Sequence, residues 1–300
     1  MKRIKCTERG VIRIAGEDSR TFLQGLISND IDRADGTKAL YGALLTPQGK
    51  YLFDFFIVAH GDILLLDCLQ SDVEPLIKKL SMFKLRSKVT LEDVSGDFDV
   101  YALFGDGLSD IFDLADAQQM TRDDGVILYT DPRLPKAGIR ALTPKGFDAH
   151  TLGGEAADDD AYQAHRIRLG LPEAPDDLQK DKSILMESGF DELNGVDWKK
   201  GCYMGQELTA RTKYRGLVKK RLVPVTLSAA DMQSGAELSQ DGKIVGELRS
   251  VHGDQAMALI KIAAIRAASP ITAGDCVVTP APPGWLQLPD TDDDEDETKS

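Results

Sequence analysis

The chain has 300 residues, 42% of them hydrophobic, which is enough to bury a sizeable core and to divide into two or three folding units rather than remain disordered. No run approaches the roughly 20 apolar residues that a membrane helix needs, and Met1 to Cys6 lacks the apolar centre of a secretion signal, so a soluble intracellular protein is expected. The formal net charge is −13, but seven acids crowd the last eleven positions against Lys299, and this tail (290–300) reads as a disordered solubilising end.

In chain order, Asp18 and Ser19 suit the start of a helix whose apolar positions Phe22, Leu23, Leu26 and Ile27 recur at helical spacing as far as Asn29. Ala43 to Leu45, a Pro47-Gln48-Gly49 turn, and the β-rich runs Tyr51 to Ala59 and Ile63 to Leu69 predict an antiparallel meander. Ser71 and Glu74 have capping-box spacing ahead of a helix through Leu80. Strand-like runs follow at Lys88 to Leu91, Val100 to Phe104, Val126 to Thr130 and Gly138 to Leu142, and a polar helix spans Ala156 to Leu169 with Gly170 and Pro172 as its stop. After Arg221 the pattern turns to short strands with an Asp241-Gly242 hairpin, which predicts a separate small barrel or sandwich. Blocks of strands and helices, rather than strict alternation, favour an α+β class.

The four cysteines, Cys6, Cys68, Cys202 and Cys276, form no CxxC pair, which suggests neither a zinc knuckle nor a disulfide framework and fits a reducing compartment. His60, His150, His165 and His252 show no metal-ligand spacing, and no GxGxxG, P-loop, GxSxG or HExxH pattern is present. Three cysteines lie in apolar or strand-like surroundings and read as small core residues. Cys202 differs: Gly201 and Gly205 allow tight or left-handed backbone, placing Cys202 and Tyr203 on a turn into a helix from Gln206. The helix dipole and the adjacent Lys199 and Lys200 would then favour thiolate, giving either a nucleophile or a ligand for a soft metal, against the plainer reading of an inert thiol in a turn. Arg211, Lys213, Arg215, Lys219, Lys220 and Arg221 form a basic run suited to phosphates, a polyglutamate tail or an acidic partner, or to a solvated helix end. With Tyr214 as its one aromatic and an acidic chain around it, nucleic acid is the weakest of these partners.

The stretch KGCYMGQE (Lys200, Gly201, Cys202, Tyr203, Gly205, Gln206, Glu207) resembles the signature of the YgfZ group, whose fold is that of the folate-dependent T-protein of glycine cleavage (GcvT-like). FLQGLISNDI (Phe22 to Ile31), LLTPQGKYLFDF (Leu44 to Phe55), FKLRSKVTLED (Phe83 to Asp93) and GLPE (Gly170 to Glu173) extend the resemblance over most of the chain. YQAHRIRLGLPE with ESGFDELNGVDWKKGCY is most similar to the branch serving mitochondrial-type iron-sulfur assembly.

The resemblance implies an α+β protein of three parts around a central opening. A folate-binding domain split in sequence (1–50 and 145–220) carries the motif, a second α+β domain covers 51–144, and a C-terminal β-barrel covers 221–289. It implies an iron-sulfur cluster assembly or repair factor for [4Fe-4S] proteins rather than a conventional enzyme. The implied cofactors are tetrahydrofolate and a transient iron-sulfur cluster, and the implied partners an A-type carrier or client [4Fe-4S] proteins. Cys202 would be the reactive residue and shared cluster ligand; Lys200, Gly201, Tyr203, Gly205, Gln206, Glu207 and Arg211, with Glu187 and Asp54 as carboxylates, would line the cofactor site. The implied setting is the cytoplasm of a bacterium or the mitochondrial matrix of a eukaryote. One departure stands out: where T-proteins grip the pterin with a glutamate, the matching position holds Arg168, a donor-only group. The alternatives are a tetrahydrofolate-dependent aminomethyltransferase or demethylase moving a one-carbon unit, and a binding module that docks an acidic partner through its cleft and basic arm.

Overall fold

The computed structural model describes residues 1–108 and 118–288; the acidic tail expected at 290–300 lies outside the described residues. The chain opens with two strands that the sequence reading did not register, β1 (Lys2–Lys5) and β2 (Arg9–Ala15). Helix α1 (Ser19–Gln24) follows, then β3 (Leu40–Leu45), β4 (Tyr51–His60), β5 (Ile63–Leu69), helix α2 (Val73–Lys84) and β6 (Thr90–Asp93). Strands β2 to β6 build one five-stranded antiparallel sheet in the order β3-β4-β5-β2-β6, and the expected meander is its β3-β4-β5 portion.

Next come β7 (Phe98–Phe104), β8 (Gln119–Thr121), β9 (Ile127–Thr130), β10 (Ile139–Pro144) and the two-residue β11 (Glu155–Ala156). With β1 they form a second sheet, ordered β11-β1-β7-β10-β9-β8. The pairing moves the expected domain boundary. A division between residues 50 and 51 would cut the β3–β4 hairpin, where Leu45 pairs with Tyr51. The first sheet instead runs from Arg9 to Asp93, and the first strand of the chain belongs to the second sheet.

One helix end and one helix cap also differ from expectation. Helix α1 stops at Gln24 rather than near Asn29, with Leu26 and Ile27 turning back onto the Leu23 carbonyl. Helix α2 begins after Asp72 without a side-chain cap, so the Ser71/Glu74 capping box does not form. The carboxylate of Asp72 is instead engaged by the Lys180 ammonium.

Helix α3 (Asp159–Leu169) begins later than the expected Ala156, which belongs to β11: the Asp158 carboxylate caps it by accepting from Ala161 N at 2.9 Å, while Gly170 closes it as expected, in left-handed conformation. A long segment with little regular structure then leads to α4 (Gln206–Tyr214), and it inserts Leu178, Leu185, Met186 and Phe190 into a core shared with Tyr41, Phe56, Val100 and Tyr129 of both sheets. The third unit is a closed barrel of β12 (Lys220–Leu227), β13 (Glu237–Gln240), β14 (Lys243–His252) and β15 (Gln255–Lys261), the short helix α5 (Ile262–Arg266), β16 (Ile271–Ala273) and β17 (Cys276–Pro280). Its Asp241-Gly242 turn joins the Gln240–Lys243 pair with both turn residues at positive φ, as a tight hairpin needs.

Buried charge ties the units together. Asp67 on β5 accepts from Arg9 Nε (2.6 Å), Arg140 Nη2 (2.7 Å) and Tyr129 Oη (3.0 Å), joining the two sheets. Burial opposes its ionisation, yet the two guanidiniums hold its carboxyl below the usual range. Asp177 is also buried, and its carboxylate accepts from Arg166 Nη1 (2.7 Å) and Glu173 N (3.0 Å) on one oxygen and from Ser250 N (3.1 Å) and Oγ (2.7 Å) on the other. Ser250 lies in the irregular stretch of β14 between Leu248 and Val251, so this bulge seats the barrel on the α3 end.

Candidate functional site

The motif segment is a loop locked from three directions, with Cys202 at its tip. Asp197 starts it: its Oδ1 accepts from Lys199 N (2.7 Å) and Lys200 N (3.1 Å), an Asx-type turn, while Oδ2 pairs with Arg33 at 2.9 Å. Burial works against ionisation of Asp197, but these hydrogen bonds outweigh it and lower its pKa. Lys200 turns inward. Its ammonium donates to Ile27 O and Asn29 O, both at 2.7 Å, and lies 5.2 Å from the centre of the Tyr203 ring. Burial pulls the Lys200 pKa down to about 8, opposed by Asp30, Asp197 and Asp32. The expectation that Lys200 would bias the neighbouring thiol toward thiolate is therefore corrected: its charge is spent on the carbonyls beyond α1.

Met204 N donates to Gly25 O at 3.1 Å, fastening the far side of the loop to the end of α1. Tyr203 is buried in the central core, and Gly205, at φ +80°, precedes α4. A Cβ on Gly205 would stand 2.4 Å from Thr46 O and 3.0 Å from Gly49 Cα, so the Pro47-Gln48-Gly49 turn and the motif touch through bare backbone. Gly201 behaves differently: it is not left-handed, and a Cβ there would meet nothing within 4 Å. Gln206 and the exposed Glu207 open α4, where the acid complements the helix dipole, and Arg211 is exposed one turn from its end.

Cys202 is exposed, whereas Cys68 and Cys276 are buried and Cys6 is half-buried. Burial pushes the Cys6 thiol up to about 11, and Cys68 is raised further by the same cause. Of the four cysteines, Cys202 is thus the one open to solvent. Two residues that hold its loop, Asp197 and Gly49, were not among the sequence candidates. The Asp-x-Lys-Lys spacing of an Asx turn and the Gln48-Gly49 turn were the signals for them.

The remaining candidates lie elsewhere. Asp54 on β4 accepts from Tyr51 Oη at 2.6 Å and Tyr41 Oη at 3.0 Å. Tyr41 in turn stacks on Phe190 with ring centres 5.0 Å apart, and the Arg133 guanidinium covers Tyr41 and Phe56 at 5.4 and 4.9 Å. Tyr41, Phe56, Phe190 and Arg133 are all buried, so rings and a guanidinium fill the middle of the molecule. Glu187 is half-buried, its pKa raised by burial against the pull of Lys220, Lys50, Arg249 and Arg221 along the barrel seam. Arg168 is exposed on α3. These residues offer a pterin a poor fit: each oxygen of Asp54 already accepts a tyrosine hydroxyl, and Arg168 is a donor-only group that cannot accept from the pterin.

The basic run is not a continuous patch. Lys213 pairs with Asp191 at 2.8 Å and lies 4.1 Å from the Trp198 ring centre, while the buried Arg221 pairs with Glu192 at 2.6 Å. Arg211, Arg215 and Lys219 remain exposed. Trp198 in turn meets the 70% exposed Tyr214 edge to face at 5.7 Å, an aromatic platform on the same segment as Cys202. No described helix is long and apolar enough to cross a membrane.

Residues 219–288 match the model of the CAF17 C-terminal beta-barrel domain. Over the whole chain, the fold is similar to glycine cleavage system aminomethyltransferase T from Bartonella henselae, with a TM-score of 0.77 at 15% identity over 96% of this chain and 86% of that one. Among curated relatives, the iron-sulfur cluster assembly factor IBA57, mitochondrial, of Mus musculus is 31% identical over 92% of this chain and 83% of its own length, and that of Homo sapiens 33% identical over 84% and 75%. The homologues of Dictyostelium discoideum and Mycosarcoma maydis are 30% and 35% identical, and the chain spans 64% and 58% of their lengths. The chain belongs to the family of the mitochondrial iron-sulfur cluster assembly factor IBA57.

Proposed function

We propose that this protein is an iron-sulfur cluster assembly factor serving the maturation of [4Fe-4S] proteins, and that Cys202 lends its sulfur to a cluster passing between partners. The relatives' names point to the process. The observation that carries the reading is an exposed cysteine on a loop fixed by Asp197, Lys200 and Gly205. A sulfur displayed on a rigid loop can ligate iron without the protein having to reorganise.

The cluster is cargo here. Cys202 supplies one thiolate and releases its proton to solvent on ligation, while Cys₄-type ligation is usual, so the partner supplies the other ligands. An A-type carrier protein that brings cluster and cysteines together fits this requirement. The Trp198–Tyr214 platform, flanked by the exposed Arg211 and Arg215, offers such a partner an amphipathic contact on the same segment.

The test is Cys202→Ala in cells lacking the endogenous factor. The variant keeps its circular dichroism spectrum and melting temperature but no longer supports aconitase-type activity. Unchanged activity would overturn the proposal.

A further inference from the structure

A cavity of about 760 Å³ opens at the junction of the two sheets, α3 and the barrel, and none of Cys202, Asp54, Glu187 or the KGCYMGQE residues lines it. Its deep side is formed by Cys6, Arg9 and Arg140, the last only 3% exposed. Both guanidiniums draw on the single carboxylate of Asp67, which leaves one buried positive charge in excess. The Phe56 ring, 4.3 Å from Arg140 and 5.5 Å from Arg9, offsets only part of it.

The donor geometry points the same way. Arg9 uses Nε and Nη2, and Arg140 uses Nε and Nη2; the Nη1 of each donates to no described protein atom. Neither Nη1 is among the sealed, unpartnered polar atoms, in contrast to Nε and Nη1 of Arg249, so both keep access to open space. A buried cation with an open donor in a cavity calls for an anion. The Cys6 thiol beside them stays protonated at neutral pH and does not compete for that role.

The mouth carries the opposite charge. Glu8, Asp159 and Asp176 line it and are exposed, Glu173 stands opposite Arg166 at 3.0 Å, and the exposed Lys5 there is paired with Asp99 at 3.1 Å. A ligand anionic at both ends would be repelled at this rim. We propose that the cavity binds a small zwitterion, its carboxylate on Arg9 and Arg140 and its ammonium among the rim acids.

The experiment measures binding by calorimetry and melting temperature on the full chain, with glycine, γ-aminobutyrate and δ-aminovalerate as zwitterions and with succinate and inorganic phosphate as dianions. At least one zwitterion binds and raises the melting temperature, while succinate and phosphate do not. Arg140→Lys, which keeps the charge but loses the fork, weakens binding about tenfold. Val251→Trp, which fills the cavity from the barrel side without touching an ion pair, abolishes it. Cys202→Ala binds as the parent does. The proposal is overturned if no zwitterion binds, if succinate or phosphate binds as well, or if Val251→Trp and Arg140→Lys bind as the parent does.

Discussion

Gly49 and Gly205 meet backbone to backbone: a Cβ on Gly49 would lie 2.7 Å from Gly205 O, and one on Gly205 would lie 3.0 Å from Gly49 Cα. Neither can carry a side chain without parting the β3–β4 turn from the cysteine loop. Gly205→Ala adds left-handed strain to this clash and is expected to cost about 2–4 kcal/mol in urea unfolding. Gly201→Ala, in open space, is expected to stay within about 0.5 kcal/mol.

Lys200 gives a pH signature. Its folded pKa is about 8 against 10.5 for the free side chain. Between these values the unfolded chain binds the proton and the folded chain does not, so stability rises with pH across that window and is unaffected by this group below it. Denaturant unfolding of the parent minus Lys200→Met should therefore climb from about pH 8 to about pH 10.5. A flat difference would mean that the ammonium is not desolvated.

Thiol chemistry should rank the cysteines by access. In the native protein Cys202 is expected to react first with a disulfide reagent, Cys6 slowly because burial raises its pKa to about 11, and Cys68 and Cys276 only on unfolding. Peptide mass spectrometry over a labelling time course reads the order. Rapid labelling of Cys68 would contradict the packing.

The filled centre makes a ligand prediction. Tetrahydrofolate should leave the melting temperature unchanged, because the stack of Tyr41 on Phe190 occupies the middle and Asp54 is already bonded twice. Tyr51→Phe, which removes the 2.6 Å bond to Asp54, should cost about 1–2 kcal/mol in denaturant unfolding. A folate-induced rise in melting temperature would show that the stack opens.

Where local signals were strong, the sequence was legible: the β3-β4-β5 meander, α3 with its glycine stop, the Asp241-Gly242 hairpin and the glycine-flanked loop before α4. The short β1 and β2 escaped because four- and seven-residue strands bearing lysine and arginine show little alternation until their partners are known. The domain boundary was misplaced for a related reason, since only long-range pairing shows that the hairpin across position 50 belongs to one sheet. At the site, proximity in sequence suggested that Lys200 would act on Cys202. Side-chain direction, which sequence does not carry, sent its ammonium to Ile27 and Asn29 instead.

The Asp177 carboxylate has a consequence for how the molecule comes apart. Two of its four donors belong to a single barrel residue, Ser250, and two to Arg166 and Glu173 of the α3 end. A chain cut before β12 would strip one oxygen of this anion of both its protein donors and leave water in their place beside the Arg166 guanidinium. The barrel, residues 219–288, thus acts as a keystone rather than an appendage, and removing it should topple the arch that presents the sulfur.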